Sequence, residues 1–321
     1  MTCPPAKVSA SIKAGPRPAA PSEVAPSEAA PFETETTPSF GAVRRALVRA
    51  HAATLLFGVS GLFGRLCQCS ASVLVCGRAG FAVAALALVG LKKGQVPWRG
   101  MKSGDIVGLV LTGVLLAAHY VTFFMGIQVG GVAVGTLGFA CFPAFTTLFE
   151  SFAYKERPSS KELLCLGLVT VGLVCTAPSF SLAHDGTAGL LLGVISGLAY
   201  ALVTIANRRF ANHLPSLQTT WWQNVVTAAF LLPFTWWQFA EVRALDWLWI
   251  ACLGLLCSAL AYVIFIDSLV VLKARQAALI ITLEPVYAIV AAWIVLGDVP
   301  GLRVILGGGL IIGSVLLLNR R

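Results

Sequence analysis

The chain has 321 residues, of which 57% are hydrophobic and only 12% are charged, and its formal net charge is +9. Soluble globular proteins carry about a quarter of their residues as charged side chains, so this composition excludes a soluble fold and indicates a polytopic membrane protein. The positive charge does not indicate nucleic-acid binding, because Lys and Arg occupy short loops between apolar runs and form no basic face.

Residues 1–41 are rich in Ala, Pro, Ser and Glu. They contain no apolar core of the kind that a signal peptide requires. Their low hydrophobicity predicts a disordered tail, and Arg44, Arg45 and Arg49 then lead into the first apolar run.

The rest of the chain is predicted to cross a membrane ten times, because each apolar run approaches the roughly 20 residues that a bilayer demands. The predicted spans are residues 51–67, 72–91, 104–126, 132–153, 162–177, 187–206, 217–239, 246–269, 274–296 and 301–319. The connecting loops are short and leave no room for a soluble domain.

The distribution of Lys and Arg predicts the orientation of these spans. Most of the 23 basic residues lie in the tail, in alternate loops and at the C-terminus. Because loops rich in Lys and Arg stay on the cytoplasmic side, both termini are predicted to be cytoplasmic.

An internal repeat has a fixed offset of 142 residues. The matching pairs are Pro143 with Pro285, Glu156 with Asp298, Pro158 with Pro300, Tyr120 with Tyr262, and Phe123 with Phe265. Two copies of five helices, an odd number, must lie in opposite orientations in one membrane. The sequence therefore predicts an all-α fold of two inverted five-helix repeats, residues 42–178 and 187–321.

The fourth and ninth spans each contain a proline and close in an acidic-x-Pro turn. The first runs from Phe142-Pro143 to Glu156-Arg157-Pro158, and the second from Glu284-Pro285 to Asp298-Val299-Pro300. This pattern resembles the drug/metabolite transporter superfamily and its EamA-like branch, although Asp298 stands where glutamate is usual. The resemblance covers roughly residues 50–319. It implies a carrier with a central cavity between the halves, and it is nearest in style to amino-acid and metabolite exporters of the bacterial inner membrane.

Polar side chains inside spans are costly and therefore predict function. His119 and Tyr120 lie in the third span with Phe123 one turn on, and Tyr262 is the repeat mate of Tyr120. If the repeats face each other, these residues form an aromatic wall with hydroxyl groups for a small amphipathic solute. The alternative is an ordinary aromatic core. Further candidates for substrate binding are Tyr200, Trp221, Asn224 and Arg78.

Arg78 and Trp221 each have an alternative role. Arg78 lies inside the second span. The preferred interpretation is that its guanidinium extends towards the outer membrane face, and the alternative is that it binds a substrate carboxylate. Trp221 suits an interfacial belt as well as a site. Glu150 and Asp267 lie near predicted cytoplasmic ends of spans, so both are expected to be solvated.

Glu284 is the candidate for ion coupling, because a buried carboxyl is suited to proton exchange. It directly precedes Pro285, which lacks an N–H group and crowds the carbonyl of Ile281. Pro143 is the matching proline of the first repeat. The preferred interpretation is structural: the carboxyl would cap backbone groups that the proline leaves free.

The sequence contains no recognisable catalytic or metal motif. Its nine cysteines lie mostly inside apolar runs, and Cys67-Gln68-Cys69 has no second pair to complete a zinc site. There is no P-loop, no Gly-x-Ser-x-Gly sequence and no His-Glu-x-x-His pair. We therefore predict a protein that is not an enzyme and needs neither cofactor nor metal.

Glycine pairs at helical spacing predict close helix packing. The pairs are Gly193 with Gly197, Gly131 with Gly135, and Gly309 with Gly313. The last pair lies in the final span, where Gly307 and Gly308 leave internal packing and a homodimer face as alternatives.

The predicted function is secondary transport of a small amphipathic metabolite such as an amino acid, by alternating access, out of the cytoplasm. The predicted partners are a small-molecule substrate and the lipid bilayer, and the predicted location is the bacterial inner membrane. One alternative is a phosphate-sugar or nucleotide-sugar antiporter, which needs cations in its cavity. The other is a membrane scaffold or receptor that transports nothing, for which a packed centre without polar lining is expected.

Overall fold

The described part of the chain is all-helical. The structure, a computed structural model, describes residues 1–2, 39–97, 101–154, 158–176 and 185–319. Within these residues the α-helices are α1 (Phe40–Leu66), α2 (Ala71–Lys92), α3 (Ser103–Phe139), α4 (Phe142–Tyr154), α5 (Ser160–Thr176), α6 (Asp185–Phe210), α7 (Ser216–Thr235), α8 (Ala244–Cys252), α9 (Ala261–Leu269), α10 (Ala274–Ile281), α11 (Glu284–Leu296) and α12 (Leu302–Asn319). A 3-10 helix (Trp236–Glu241) follows α7, and a π-helix (Leu253–Leu260) joins α8 to α9.

Six helical stretches in the described residues are long and apolar enough to cross a membrane. They are Phe40–Leu66, Ala71–Lys92, Ser103–Ala153, Asp185–Phe210, Ala244–Leu269 and Ala274–Leu296. Ser103–Ala153 has 51 residues, about twice what one crossing needs. The protein is therefore a multi-pass membrane protein, whereas the count of ten spans and the orientation of the termini stay predictions.

The chain reverses within α3 at Gly131. This residue has φ 82° and ψ 164°, a conformation that only glycine adopts without strain. Beyond it the chain folds back, because a Cβ added to Gly135 would lie 2.8 Å from the carbonyl carbon of Gly126. In a straight helix these residues would be about 13 Å apart. Gly131 thus separates the predicted spans 104–126 and 132–153.

Glycines also bring α6 against the reversed part of α3. A Cβ added to Gly193 would lie 2.4 Å from the carbonyl oxygen of Gly135, and one added to Gly197 would lie 3.1 Å from that of Phe139. The predicted close packing at this pair is present. At Gly309 and Gly313 an added Cβ would meet nothing within 4 Å, so this pair shows no internal packing within the described residues, and the homodimer face stays a prediction. Of Gly131 and Gly135 only Gly135 makes a close approach, because Gly131 interrupts the helix.

The two repeats contain equivalent helix breaks. The chain leaves helical structure at residues 140–141 and again at residues 282–283, which is the same offset of 142 residues. Pro143 and Pro285 each occupy the second position of the helix that follows. A missing N–H is harmless in the first turn, since the first four N–H groups of a helix have no partner within it. Two residues with turn geometry therefore interrupt the helix at each place, and Glu284 begins the helix after the second interruption.

The start of the first helix differs from the prediction, and part of the prediction lies outside the described residues. The first helix starts at Phe40 instead of residue 51, because Ser39 caps it by accepting a hydrogen bond from the Ala42 N–H. Residues 3–38 of the predicted tail and the Lys155-Glu156-Arg157 segment lie outside the described residues. The second copy of that turn is described, and Gly297 there ends α11 with φ 73°.

Candidate functional site

A small polar cavity lies where α1, α2, α3, α6 and α11 meet. It is lined by Phe57, Ser60, Arg78, His119, Tyr120, Phe123, Phe139, Tyr200 and Glu284. The volume is about 20 Å³, which is room for about one water molecule. The cavity is closed, but four of its five lining helices carry ionisable side chains. Residues of both halves therefore meet around one polar centre.

Arg78 of α2 points into this cavity. Its side chain is only 2% exposed, and its Nε donates a hydrogen bond of 2.7 Å to the Ser258 hydroxyl of the π-helix. The guanidinium carbon lies 4.0 Å from the centre of the Tyr120 ring, within cation–π range. Among the described residues no carboxylate forms a salt bridge with it. The preferred prediction for Arg78 was wrong: its head is held inward.

Glu284 faces the same cavity from the first residue of α11. It is 5% exposed, and its side chain forms no hydrogen bond or salt bridge with any described residue. The predicted capping of backbone groups near Pro285 is thus absent from its contacts. A carboxylate at a helix N-terminus is favoured by the helix dipole, which is a reason for its location there.

Aromatic rings form the remaining wall. His119 stacks on Tyr200 with ring centres 4.5 Å apart, and its Nδ1 lies 2.8 Å from the Ser196 hydroxyl and 3.3 Å from the Ser196 carbonyl oxygen. A carbonyl only accepts, so Nδ1 carries the proton if it bonds there, and Nε2 is then an acceptor. Phe139 packs between Phe123 and Phe142, which is the repeat mate of Glu284.

Tyr262 does not line the cavity and instead joins a buried polar chain beside it. Its hydroxyl accepts a 2.8 Å hydrogen bond from Asn207, whose side-chain oxygen accepts one of 2.6 Å from Gln223. Gln223 also donates to the Thr112 hydroxyl at 2.9 Å. The symmetry that paired Tyr262 with Tyr120 is therefore broken at the site.

Other predicted residues also lie away from the cavity. Trp221 donates its ring N–H to the Val83 carbonyl, and Asn224 donates to the Thr220 carbonyl in its own helix, although its side-chain oxygen is buried without a partner. Pro143 lies outside the cavity, at the second position of α4 after the interruption at residues 140–141. The structure brings together Arg78, His119, Tyr120, Phe123, Tyr200 and Glu284.

Four residues of the site were missed. Phe57 and Phe139 are ordinary apolar residues in apolar spans, and Ser60 and Ser258 are two small polar residues among many. No sequence signal distinguishes them, because their role depends on the π-helix and on the reversal at Gly131.

Polar links join the two repeats at both ends of the helix bundle. Glu150 of α4 forms an ion pair with Arg208 of α6 and accepts a 3.2 Å hydrogen bond from the Arg275 N–H at the start of α10. The expected solvation of Glu150 was wrong, because it is buried between these arginines. At the other end Asp246 of α8 accepts a 3.3 Å hydrogen bond from the Gln68 N–H in the α1–α2 loop.

Comparisons with known proteins identify the same two-part organisation. The model of the EamA-like transporter family matches the chain twice, over residues 45–177 and 187–320. An uncharacterized transporter of Bacillus subtilis, YxxF, is 26% identical over 86% of this chain and 90% of its own length. An uncharacterized transporter of Archaeoglobus fulgidus is 27% identical over 68% of this chain and 77% of its own.

The fold is shared with a solved protein structure. Its TM-score is 0.65 at 18% sequence identity, and the match covers 85% of this chain and 96% of that one.

Proposed function

The chain belongs to the EamA-like transporter family, and from that premise we propose that it is a secondary transporter that exports small amphipathic metabolites such as amino acids. The observation that carries this proposal is the closed cavity between the halves, in which the buried Arg78 and Glu284 form no salt bridge among the described residues. Buried ionisable groups without a salt bridge are costly, so their presence in this cavity supports a functional role.

The arrangement supports this proposal over its two alternatives. Among the described lining residues Arg78 is the one Lys or Arg, and Arg275 is engaged by Glu150. A phosphate group carries up to two negative charges and favours several cations, which disfavours the phosphate-sugar antiporter. The polar lining disfavours a scaffold that transports nothing.

Alternating access around this cavity is part of the proposal. One link between the repeats lies at the Glu150 end and another at the Asp246 end, with the closed cavity between them. Opening one link at a time would connect the cavity to one side of the membrane and then to the other.

Transport itself is tested by counterflow. Purified protein in liposomes is loaded with unlabelled solute, and uptake of radiolabelled amino acids is followed, with sugar phosphates and nucleotide sugars as the second panel. We expect accumulation of an aliphatic or aromatic amino acid. Accumulation of sugar phosphates alone would favour the antiporter, and no accumulation on either panel would contradict transport.

Access from the two sides is tested with Ser60→Cys in a chain whose nine native cysteines are replaced. We expect Glu150→Gln to speed labelling of position 60 by a membrane-impermeant maleimide about tenfold from the Glu150 side. A tenfold change corresponds to a loss of about 1.4 kcal/mol from the free energy that keeps this end closed. Asp246→Asn should speed it from the opposite side.

The control is Asp267→Asn, a half-buried carboxyl outside both links. Faster labelling from the same side in both variants would contradict alternating access, and so would unchanged labelling in a chain that remains folded.

A further inference from the structure

Two ionisable groups of opposite sign face one cavity without forming a salt bridge. Arg78 and Glu284 are both buried in its lining, and no salt bridge joins them. Oppositely charged groups in a low-dielectric interior attract strongly, so a conformation that holds them apart needs support. Arg78 receives that support from the Ser258 hydroxyl at its Nε and from the Tyr120 ring beneath its guanidinium carbon.

The polar atoms of Arg78 and Glu284 that form no hydrogen bond with a described residue indicate which chemical groups of a ligand they can bind. With Nε occupied by Ser258, both Nη groups of Arg78 remain as donors, and a carboxylate accepts two such parallel bonds. The Glu284 carboxyl bonds to no described residue. In its ionised form it only accepts, so it selects a donor such as an ammonium group.

A ligand with a single charge leaves one of these groups buried and unpaired. A simple carboxylate satisfies Arg78 but is repelled by an ionised Glu284, and a simple amine does the reverse. A zwitterion pairs both groups and brings no net charge into the membrane interior, which avoids the desolvation cost of an unmatched ion.

We propose that Arg78 and Glu284 form a two-point clamp for an α-amino acid with an apolar side chain. The guanidinium binds the carboxylate, the Glu284 carboxylate binds the ammonium, and the side chain packs on the rings of Phe57, Phe123 and Phe139. The closed cavity holds about one water molecule, so the ligand enters when the halves separate. This inference rests on the proposed function and names the substrate class and the contact at each end.

The test is the thermal stability of the purified wild-type protein with four matched probes. L-Leucine carries both charges, leucine methyl ester lacks the carboxylate, 4-methylpentanoate lacks the ammonium, and L-phenylalanine keeps both with a larger side chain. We expect both amino acids to raise Tm and the two truncated probes to bind at least about 30-fold more weakly, as for the loss of a partner from a buried charge pair.

Two variants test which residue binds which end. Glu284→Gln should remove the preference for leucine over 4-methylpentanoate, and Arg78→Met should remove the preference for leucine over its methyl ester. A merely structural role cannot produce these opposite changes in selectivity. Arg65→Gln, an exposed arginine at the end of α1, is the control and should retain the wild-type order of probes.

The wild-type probe series keeps the test valid even if a variant fails to fold. Equal binding of 4-methylpentanoate and leucine would overturn the role of Glu284, and equal binding of the ester would overturn that of Arg78. If no zwitterion binds while another solute gives counterflow, the clamp is wrong and the transporter remains. If no solute gives counterflow either, both are wrong.

Discussion

Replacing Gly193 with leucine is expected to prevent the protein from folding. Even the first side-chain atom has no space, because a Cβ there would lie 2.4 Å from the Gly135 carbonyl oxygen and 2.9 Å from the Gly138 Cα. These neighbours are backbone atoms, so relief requires α6 to move away from α3. Overpacking of a core costs about 1–3 kcal/mol when side chains can adjust, and we expect a larger loss here.

The measurement is size-exclusion chromatography in mild detergent followed by thermal unfolding. Gly80→Leu is the matched control, because Gly80 is also inside a helix but an added Cβ meets nothing within 4 Å. We expect Gly193→Leu to aggregate and Gly80→Leu to elute and melt like the wild type, with a small gain from better helix propensity. A monodisperse Gly193→Leu protein with wild-type Tm would contradict the packing of α3 on α6.

Replacing Arg78 with methionine is expected to abolish transport while leaving the protein as stable as the wild type or more stable. The change removes the cation of the proposed clamp, so binding of a carboxylate should weaken at least about 100-fold, within the range for buried charge pairs. It also removes a buried guanidinium that forms no salt bridge with a described residue, and replacing whole buried ion pairs with apolar side chains is often neutral or stabilising by about 1–4 kcal/mol. Glu284 can then be neutralised by a proton, an option that arginine lacks.

A purely structural role for Arg78 predicts the opposite change in stability. In that case the lost Ser258 hydrogen bond and the lost contact with the Tyr120 ring would lower Tm. Thermal unfolding of wild type, Arg78→Met and Ser258→Ala in the same detergent separates the two accounts. A clear fall in the Tm of Arg78→Met would show that Arg78 stabilises the fold, and it would contradict the prediction that the variant is at least as stable as the wild type.

The positions of the helices were largely predictable from the sequence. Apolar runs of bilayer length gave residues 72–91 for α2, which extends over Ala71–Lys92, and 301–319 for α12, which extends over Leu302–Asn319. The length of an apolar run is set by the thickness of the bilayer, so it can be read from the sequence without knowledge of tertiary contacts. The start of α1 was less predictable, because a capped helix continues into polar sequence beyond the apolar run.

The directions of individual side chains were less predictable. α2 is apolar around most of its circumference, so the sequence does not reveal that Arg78 faces inward. Glu150 was expected in solvent because it lies near the end of its span. In the structure it is covered by Arg208 and Arg275, which belong to helices distant in sequence. Both errors have one cause: burial in a bundle depends on neighbouring helices, and span boundaries do not identify those neighbours.

The candidate site was predictable where a polar residue interrupts an apolar span. His119 and Tyr120 were identified in this way and line the cavity with Tyr200. The internal repeat was a good guide to the backbone, since both helix breaks keep the same offset. It failed for side chains: Glu284 faces the cavity and its mate Phe142 packs on Phe139, while Tyr262 bonds to Asn207 beside the cavity.

The most direct measurement of the central claim is counterflow of radiolabelled L-leucine into liposomes with equal amounts of wild type, Arg78→Met or Arg65→Gln. If the cavity between the repeats is the substrate site, wild type and Arg65→Gln accumulate the label and Arg78→Met stays at the level of protein-free liposomes. Equal accumulation by wild type and Arg78→Met would contradict the account and place the transport site elsewhere in the protein.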